Sequence, residues 1–418
     1  MVKLLIIADD FTGALDTGVQ FSEKGIETRV IVDDRQKGSS LRIKKSDTMQ
    51  VLVVDAETRH MTSEDAYQKV FAIVKEAKKA EIPYIYKKTD SALRGNIGSE
   101  LSALLNASEE KNLPFIPAFP KMKRITKNGV HYIDDIPVSE SVFGRDPFEP
   151  VTRNRVKEII HLQSEVKVAE VLNLQITSWE EPGIWVFDAS KDEEIEEIAN
   201  LLKERNAYKI MAGCAGFASI LPKLLGLQGS SYKKEKLEQQ LLVICGSVNP
   251  ITIKQLEHGE SCGYQRIHLT AEQKLKKEYW MTEKGNNIIQ EWMGDFKENS
   301  CCILDSNDTE KGQTLDYAKQ NDLSIDQVRC RISETLGIIL RKILDQGLKA
   351  VLLVTGGDTL LGFMKEIDDW ELKPICEIFP GCVLTKLIYK NEEYHIITKS
   401  GGFGEEKLLE NIVDVLKK

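Results

Sequence analysis

The first 213 residues contain no cysteine; all eight lie from Cys214 onward. None forms a Cys-x-x-Cys pair and the six histidines are scattered, so neither a zinc cluster nor a histidine-based metal site is expected. Reduced, buried thiols of a cytoplasmic protein are the expectation instead. No apolar run approaches the roughly 18 residues that a spanning helix needs. The N-terminus enters a strand directly, without the charged, apolar and small-residue regions of a signal peptide. Excess positive charge is missing too: net charge is −9 with a pI near 5.5, which argues against broad nucleic-acid or acidic-membrane binding. Neither Gly-x-x-x-x-Gly-Lys-[Ser/Thr] nor Gly-x-Gly-x-x-Gly occurs. That argues against an ordinary P-loop NTPase, a protein kinase and the standard dinucleotide fingerprint, and any nucleotide must be held by other loops.

What is present is an ordinary globular composition, 42% hydrophobic and 29% charged, in 418 residues. That length implies two domains. The polar, turn-rich stretch Gln228–Lys236 reads as the linker, giving domains 1–228 and 239–418. The first opens on the apolar run Leu4–Ile7, a strand buried on both faces, followed by Asp9-Asp10 and by Thr12-Gly13-Ala14 opening a helix to Lys24. Thr28–Val32, Gln50–Asp55 and Tyr84–Tyr86 read as further strands, with a turn at Asp33-Asp34-Arg35 and a helix over Ser63–Ala80. This alternation predicts a parallel, doubly wound sheet. Three strand ends carry polar clusters, Asp9-Asp10, Asp55 to Arg59 and Lys87 to Asp90, which such a topology brings to one edge. Alone, Asp9 could be a helix cap and Asp10 its solvated neighbour; both together after a buried strand favour a site. The richest cluster runs from Tyr86 through Lys87, Lys88, Asp90, Ser91 and Arg94 to Gly98. Arginine offers a planar fork for a carboxylate and lysine a point charge. Opposite Asp9 and Asp10 they would form a pocket for a small acid bearing several hydroxyls; a surface turn leading into an exposed helix is the alternative.

Helix Ser99–Ala107 and strand Phe115–Phe119 come next. Gly129–Pro137 reads as a hairpin turning at Asp134-Asp135. Ser141–Phe148 reads as an ordered loop closing over the pocket, with Arg145-Asp146 as a potential ion pair. Val166–Val171, Ile184–Asp188 and Lys209–Ala212 are further strands. In the second half, strand Leu241–Cys245 runs into Gly246-Ser247-Val248-Asn249-Pro250 and a helix carrying Thr252 and Gln255. Ala350–Val354 runs into Thr355-Gly356-Gly357-Asp358-Thr359 and a helix at Leu360. Tyr394–Thr398 runs into Lys399-Ser400-Gly401-Gly402-Phe403-Gly404 and a last helix. Three glycine-, serine- or threonine-rich loops at strand-to-helix junctions suit phosphate, because backbone N–H groups approach it without side-chain clash. Ile325–Asp345 reads as a long helix; 265–308 reads as irregular apart from a strand at Cys301–Leu304.

These motifs, in this order and over nearly the whole chain, resemble the four-carbon acid sugar kinase family of D-threonate, D-erythronate and 3-oxo-tetronate kinases. The resemblance implies an α/β fold of two domains, each a mostly parallel sheet flanked by helices, with the active site in the interdomain cleft. It makes 1–228 the acid-sugar domain and 239–418 the ATP domain, and implies phosphorylation of the C4 hydroxyl of a four-carbon aldonic acid. The implied ATP contacts are Ser247, Gly356, Gly357, Asp358, Thr359 and Gly401; the implied substrate contacts are Asp9, Asp10, Lys88, Asp90 and Arg94. Family members often read Gly-Ser-x-Ser where this chain has Gly246-Ser247-Val248-Asn249, and Asn249 still donates and accepts hydrogen bonds.

Phosphoryl transfer needs positioning and charge neutralisation above all. Asp10 or Asp9 is expected to orient and deprotonate the hydroxyl, with Arg94 and Lys88 on the substrate carboxylate. Asp358 is the rival base, or a partner of Mg²⁺. No metal site of the protein's own is expected, since Mg²⁺ arrives with ATP. Expected partners are the acid sugar and ATP, not nucleic acid or membrane, with a homodimer the commonest assembly. An NAD(P)-dependent hydroxy-acid dehydrogenase lacks its glycine fingerprint here, and a non-catalytic acid-sugar sensor would not need the three loops.

Overall fold

Runs such as Leu4–Ala8 and Val51–Asp55 have no polar face to offer water, and both are strands buried along their whole length. The structure is a computed structural model that describes residues 2–33, 48–146, 149–172, 174, 181–230, 236–399 and 401–417. It divides into two compact units, Met1–Tyr232 and Lys233–Lys418.

In the first unit, β1 (Leu4–Ala8), β2 (Thr28–Val32), β3 (Val51–Asp55), β4 (Tyr84–Lys88) and β5 (Asn112–Ile116) alternate with helices α1 (Phe11–Ser22), α2 (Ser63–Lys79) and α3 (Ile97–Ser108). A separate antiparallel sheet follows, formed by β6 (Arg124–Lys127), β7 (Val130–Ile133) and β8 (Ile136–Pro137). After α4 (Val156–His161), the strands β9 (Val168–Val171), β10 (Gly183–Phe187) and β11 (Ile210–Gly213) rejoin the main sheet. Helix α5 (Asp192–Glu204) and the short turns α6 (Ala215–Ala218) and α7 (Leu221–Leu224) complete the unit. The main-sheet order is β2-β3-β1-β4-β11-β5-β10-β9, every pair parallel. The chain therefore leaves β1 toward one side and returns at β4 on the other, the switch point that opens a crevice at the strands' carboxyl ends. Register fixes what stands there: Ala8 lies beside Asp55 and Lys88, and Lys88 beside Gly213.

The second unit repeats the plan. It contains β12 (Leu241–Cys245), α8 (Pro250–Ser261), β13 (Gln265–His268), α9 (Ala271–Leu275), α10 (Glu283–Glu298) and β14 (Cys301–Asp305). Then come α11 (Gln313–Gln320), α12 (Ile325–Asp345), β15 (Val351–Thr355) and α13 (Gly357–Ile367). Last are β16 (Glu371–Phe379), β17 (Cys382–Tyr389), β18 (Glu392–Lys399) and α14 (Leu408–Leu416). The order is β13-β14-β12-β15-β18-β17-β16, parallel up to β18 and antiparallel beyond it. Cys245 is in register with Asp305 and Thr355, and Thr355 with Lys399, so the three glycine-rich loops leave one sheet edge.

The fold is the expected α/β class, with corrections in detail. The expected strand Phe115–Phe119 is displaced to Asn112–Ile116. Pro117 has no N–H to continue the ladder, and Phe119 instead pairs with Arg124 at the entry to the small sheet. The hairpin stands where expected, its turn made by Asp134 and Asp135 at φ 49° and 65°. Strand β6, in front of it, was not anticipated. Segment 265–308 is ordered, not irregular: besides β14 it holds β13, α9 and the sixteen-residue α10, which buries Ile289, Trp292, Met293 and Phe296. Helix α13 begins at Gly357, three residues before Leu360. Most of the turn at Asp33-Asp34-Arg35 and residues 231–235 of the linker lie outside the described residues. Among the described residues no helix is long and apolar enough to cross a membrane.

Helices α12 and α13 meet through glycines: a Cβ on Gly337 would sit 2.5 Å from the Gly362 carbonyl oxygen. Gly337→Val should lower stability by about 1–3 kcal/mol as the backbones are forced apart. The urea midpoint measures this, and an unmoved midpoint would show that the helices can separate freely.

Candidate functional site

Asp10 caps α1, its Oδ1 accepting the Gly13 N–H at 2.9 Å. The cap is thus Asp10 and not Asp9, and Asp9 is left buried at the end of β1. The loop after β3 comes back onto it, for the N–H groups of Thr58 and Arg59 both donate to the Asp9 carbonyl. This seats the Arg59 guanidinium among three carboxylates. Its Nε and one terminal nitrogen reach Asp9 Oδ2 at 2.8 and 2.7 Å, the other reaches Asp10 Oδ2 at 2.7 Å, and Asp90 Oδ1 stands 3.6 Å away. Asp9 Oδ1 has no hydrogen-bond partner among the described residues, and the Lys88 ammonium lies 4.0 Å from it. Gly13 makes that approach feasible, since a Cβ there would fall 2.6 Å from Lys88 Nζ.

The strand pleat separates the two lysines of β4. Lys88 turns toward Asp9, whereas Lys87 is wholly buried on the other face, 3.0 Å from Glu100 of α3 and donating to the Lys88 carbonyl. Thr58 donates to the other Glu100 oxygen. Lys87, part of the polar cluster read in the sequence, therefore supports the site from beneath.

Asp90 accepts from both Nε and a terminal nitrogen of Arg94, at 2.9 and 3.0 Å, and Arg94 also donates to Asp146 at 3.2 Å. The Arg94 and Arg124 guanidiniums both lie over the Phe143 ring. Arg124 donates to Ser91 Oγ, and buried His131 bonds the Ser91 carbonyl through Nε2 at 2.9 Å. The small sheet and the loop after it thus fasten the Asp90–Arg94 turn. Asp146 pairs with Arg94 rather than with Arg145, and the tail of that loop, Pro147 and Phe148, lies outside the described residues. Asp188 is structural: it accepts from the backbone N–H groups of Asn128 and Gly129. Beside the cluster opens a cavity of about 350 Å³, lined among others by Arg59, Arg94, Asn96, Gln163 and the His60–Glu149 pair.

Charge states follow from this packing. Burial alone would raise the Asp9 carboxyl, but Arg59, Lys88 and Lys87 together hold it below its ordinary value of 3.8. Asp90 is likewise pushed up by burial but driven well below that range by Arg94 and Arg59. Asp55 goes the other way: burial, with Glu57 and Asp10 nearby, raises it well above.

In the second unit, the loop after β12 is held by Asn249, which caps α8, and by Asn307, whose side chain donates to the Ser247 carbonyl at 3.1 Å. The loop after β18 is drawn onto it, Thr252 donating to the Gly401 carbonyl at 2.9 Å and Gln255 to those of Phe403 and Glu405. A Cβ on Gly401 would stand 2.7 Å from Ser247 Oγ, and one on Gly246 would strike the Thr359 hydroxyl. Ser247, Gly356, Thr359 and Gly401 are therefore one cradle, with Gly356 at φ 94° turning the chain into α13. The first N–H groups of that helix, on Gly357, Asp358 and Thr359, have no intrahelical partner. The Asp358 carboxylate faces α12, both oxygens accepting from Arg329 at 2.6 and 3.2 Å. Lys399 ends β18 buried beside the cradle, donating to Thr252 at 3.0 Å, and burial lowers its ammonium to about 8. Arg59, Arg124, His131 and Lys399 were not singled out from the sequence as site residues; the signal for Arg59 was its place four residues beyond the end of β3, and for Lys399 its place as the last residue of β18.

A sequence model described as a sugar-binding N-terminal domain matches residues 4–221, and one described as a nucleotide-binding C-terminal domain matches 242–409. A D-threonate kinase of Salmonella typhimurium is 29% identical over 98% of this chain and 97% of its own. A D-erythronate kinase of Heliobacterium modesticaldum is 27% identical over 100% and 97%, and a 3-oxo-tetronate kinase of Haemophilus influenzae 23% over 97% and 98%. Solved structures from Haemophilus influenzae and Salmonella typhimurium share the fold, with TM-scores of 0.73 and 0.79 at 21% and 18% identity over 99% of this chain and 100% and 99% of theirs. These relatives are all named kinases, and with a sugar-binding and a nucleotide-binding half the chain is of their class, a phosphotransferase with an alcohol group as acceptor. The chain belongs to the four-carbon acid sugar kinase family.

Two outcomes follow from the geometry. A carboxylate with a depressed folded pKa contributes stability that is present above its unfolded value, near 3.8 for Asp9 and Asp90, and lost as pH falls through the folded one. Arg59→Met should cost roughly 3–5 kcal/mol near neutral pH by stranding buried charge. The gap between parent and variant urea midpoints should then narrow as pH drops below 3.8; a constant gap would show that Arg59 acts by packing alone. In the second unit, Gly401→Val should lower the urea midpoint by pushing Ser247 aside, and an unmoved midpoint would show that the two loops can separate.

Proposed function

We propose that this kinase transfers the γ-phosphate of ATP to the C4 hydroxyl of a four-carbon aldonic acid of the D-threonate or D-erythronate type. The observation that carries the reading is Asp9 Oδ1, a buried carboxylate oxygen without a hydrogen-bond partner among the described residues, facing the Lys88 ammonium. A substrate hydroxyl admitted beside them would donate to Asp9 and accept from Lys88, and a base so placed contributes about 10²- to 10⁴-fold. Asp10 has both oxygens engaged, by Gly13 and Arg59, and so orders the turn. With Asp90 and Asp146 occupying much of Arg94, the substrate carboxylate meets the outer N–H groups of Arg94 and the cations beside it.

The glycines let these loops pack against one another at the start of α13, whose first N–H groups suit a nucleotide phosphate. Ser247, Gly356, Gly357, Thr359 and Gly401 would hold ATP, with Lys399 reinforcing the loop. ATP supplies the phosphoryl group, with Mg²⁺ on its phosphates. Asp358, paired to Arg329, is assigned the ordering of the start of α13 rather than the part of base. The names of the relatives support the substrate class.

Purified enzyme with MgATP should form ADP with at least one of D-threonate, D-erythronate, L-threonate, L-erythronate and 3-oxo-tetronate; none from any overturns the kinase reading. Asp9→Asn should lower kcat by at least 10²-fold with ATP affinity intact, whereas Asp10→Asn, which keeps a helix cap, should stay within tenfold. A kcat for Asp9→Asn within a few-fold of the parent removes Asp9 from the chemistry.

A further inference from the structure

Helix α8 leaves the nucleotide cradle at Asn249 and ends about 18 Å away by helical rise, where His258 and Cys262 share one face four residues apart. Glu410 of α14 meets them there. His258 Nε2 lies 3.0 Å from Glu410 Oε2 and 3.5 Å from Cys262 Sγ, and the three ligand atoms all fall within 4.8 Å of one another. Around a tetrahedral zinc, bonds of about 2.0–2.3 Å place neighbouring ligand atoms roughly 3.3–3.6 Å apart. Rotamer adjustments of less than about 1.5 Å would bring this trio to that geometry. An imidazole, a thiolate and one carboxylate suit zinc and its neighbours in the first transition row, whereas calcium and magnesium require oxygen ligands.

We propose that His258, Cys262 and Glu410 form a three-ligand site for a divalent transition metal, zinc in particular, with solvent in the fourth position. On binding, the Cys262 thiol loses its proton to solvent, His258 coordinates through Nε2 as the Nδ1–H tautomer, and the His258–Glu410 hydrogen bond gives way to two metal bonds. The metal joins α8 to α14. The same two stretches are already tied at their other end, where Thr252 and Gln255 hold the carbonyls of Gly401, Phe403 and Glu405. A bound metal therefore closes the loop between cradle and last helix at both ends. This inference does not depend on the acceptor substrate or on the identity of the base.

The test is cobalt titration of the reduced, metal-free, full-length protein without nucleotide or acid. One equivalent of Co²⁺ should produce a near-ultraviolet thiolate-to-cobalt band that zinc abolishes, and zinc should raise the Tm by several degrees. Cys262→Ser should remove the band, while Cys330→Ser, at the other exposed cysteine, should leave it. His258→Ala and Glu410→Gln should each weaken binding at least tenfold, with circular dichroism confirming the fold. Absence of the band, or a band and affinity unchanged in Cys262→Ser or His258→Ala, overturns the site.

Discussion

The first unit depends on one guanidinium. Arg59, carried by the loop after β3, sits between Asp9, Asp10 and Asp90, three acids that the ends of β1 and β4 deliver to the same edge. Without a cation there, like charges at such distances could not all ionise, and the edge would open or take up protons. With it, Asp9 is held below its ordinary pKa although buried, and its second oxygen has no hydrogen-bond partner among the described residues. The surrounding structure serves this arrangement: Asn96 holds the carbonyls of Thr58 and Met61, fixing the Arg59 loop, and the small sheet grips the Asp90–Arg94 turn.

Both units reach their sites by the same route. Parallel strands end together, and a reversal of strand order leaves a gap between two loops. In the first unit the gap is lined with charge, in the second with bare backbone. The contrast suits the two halves of a phosphoryl transfer, since an acceptor hydroxyl needs an oriented hydrogen-bond partner whereas phosphate oxygens need many N–H donors.

Strand and helix order was legible because buried parallel strands are written as short apolar runs, and Asp9-Asp10 and the glycine loops stand directly at their ends. What escaped depended on distance or on dilution. Arg59 acquires meaning only when its loop folds back on Asp9, some fifty residues earlier. Lys87 and Lys88 look alike in sequence, and only the pleat sends one to Glu100 and the other to Asp9. Helix α10 was hidden by Gly285, Asn286, Asn287 and Gly294, poor helix formers that the packing of Trp280 and Trp292 overrides. The His258–Cys262 spacing is visible, but Glu410, its third member, lies about 150 residues on.

The Lys87–Glu100 pair gives the first unit a dependence on temperature. Both side chains are fully enclosed, and removing two charges from water is expensive when water is cold and hydrates ions well. Hydration of charge becomes less favourable on heating, so the penalty of keeping this pair dry shrinks while the gain from burying apolar surface levels off. The layer beneath the acid cluster therefore loses less of its hold on warming than an all-aliphatic layer would.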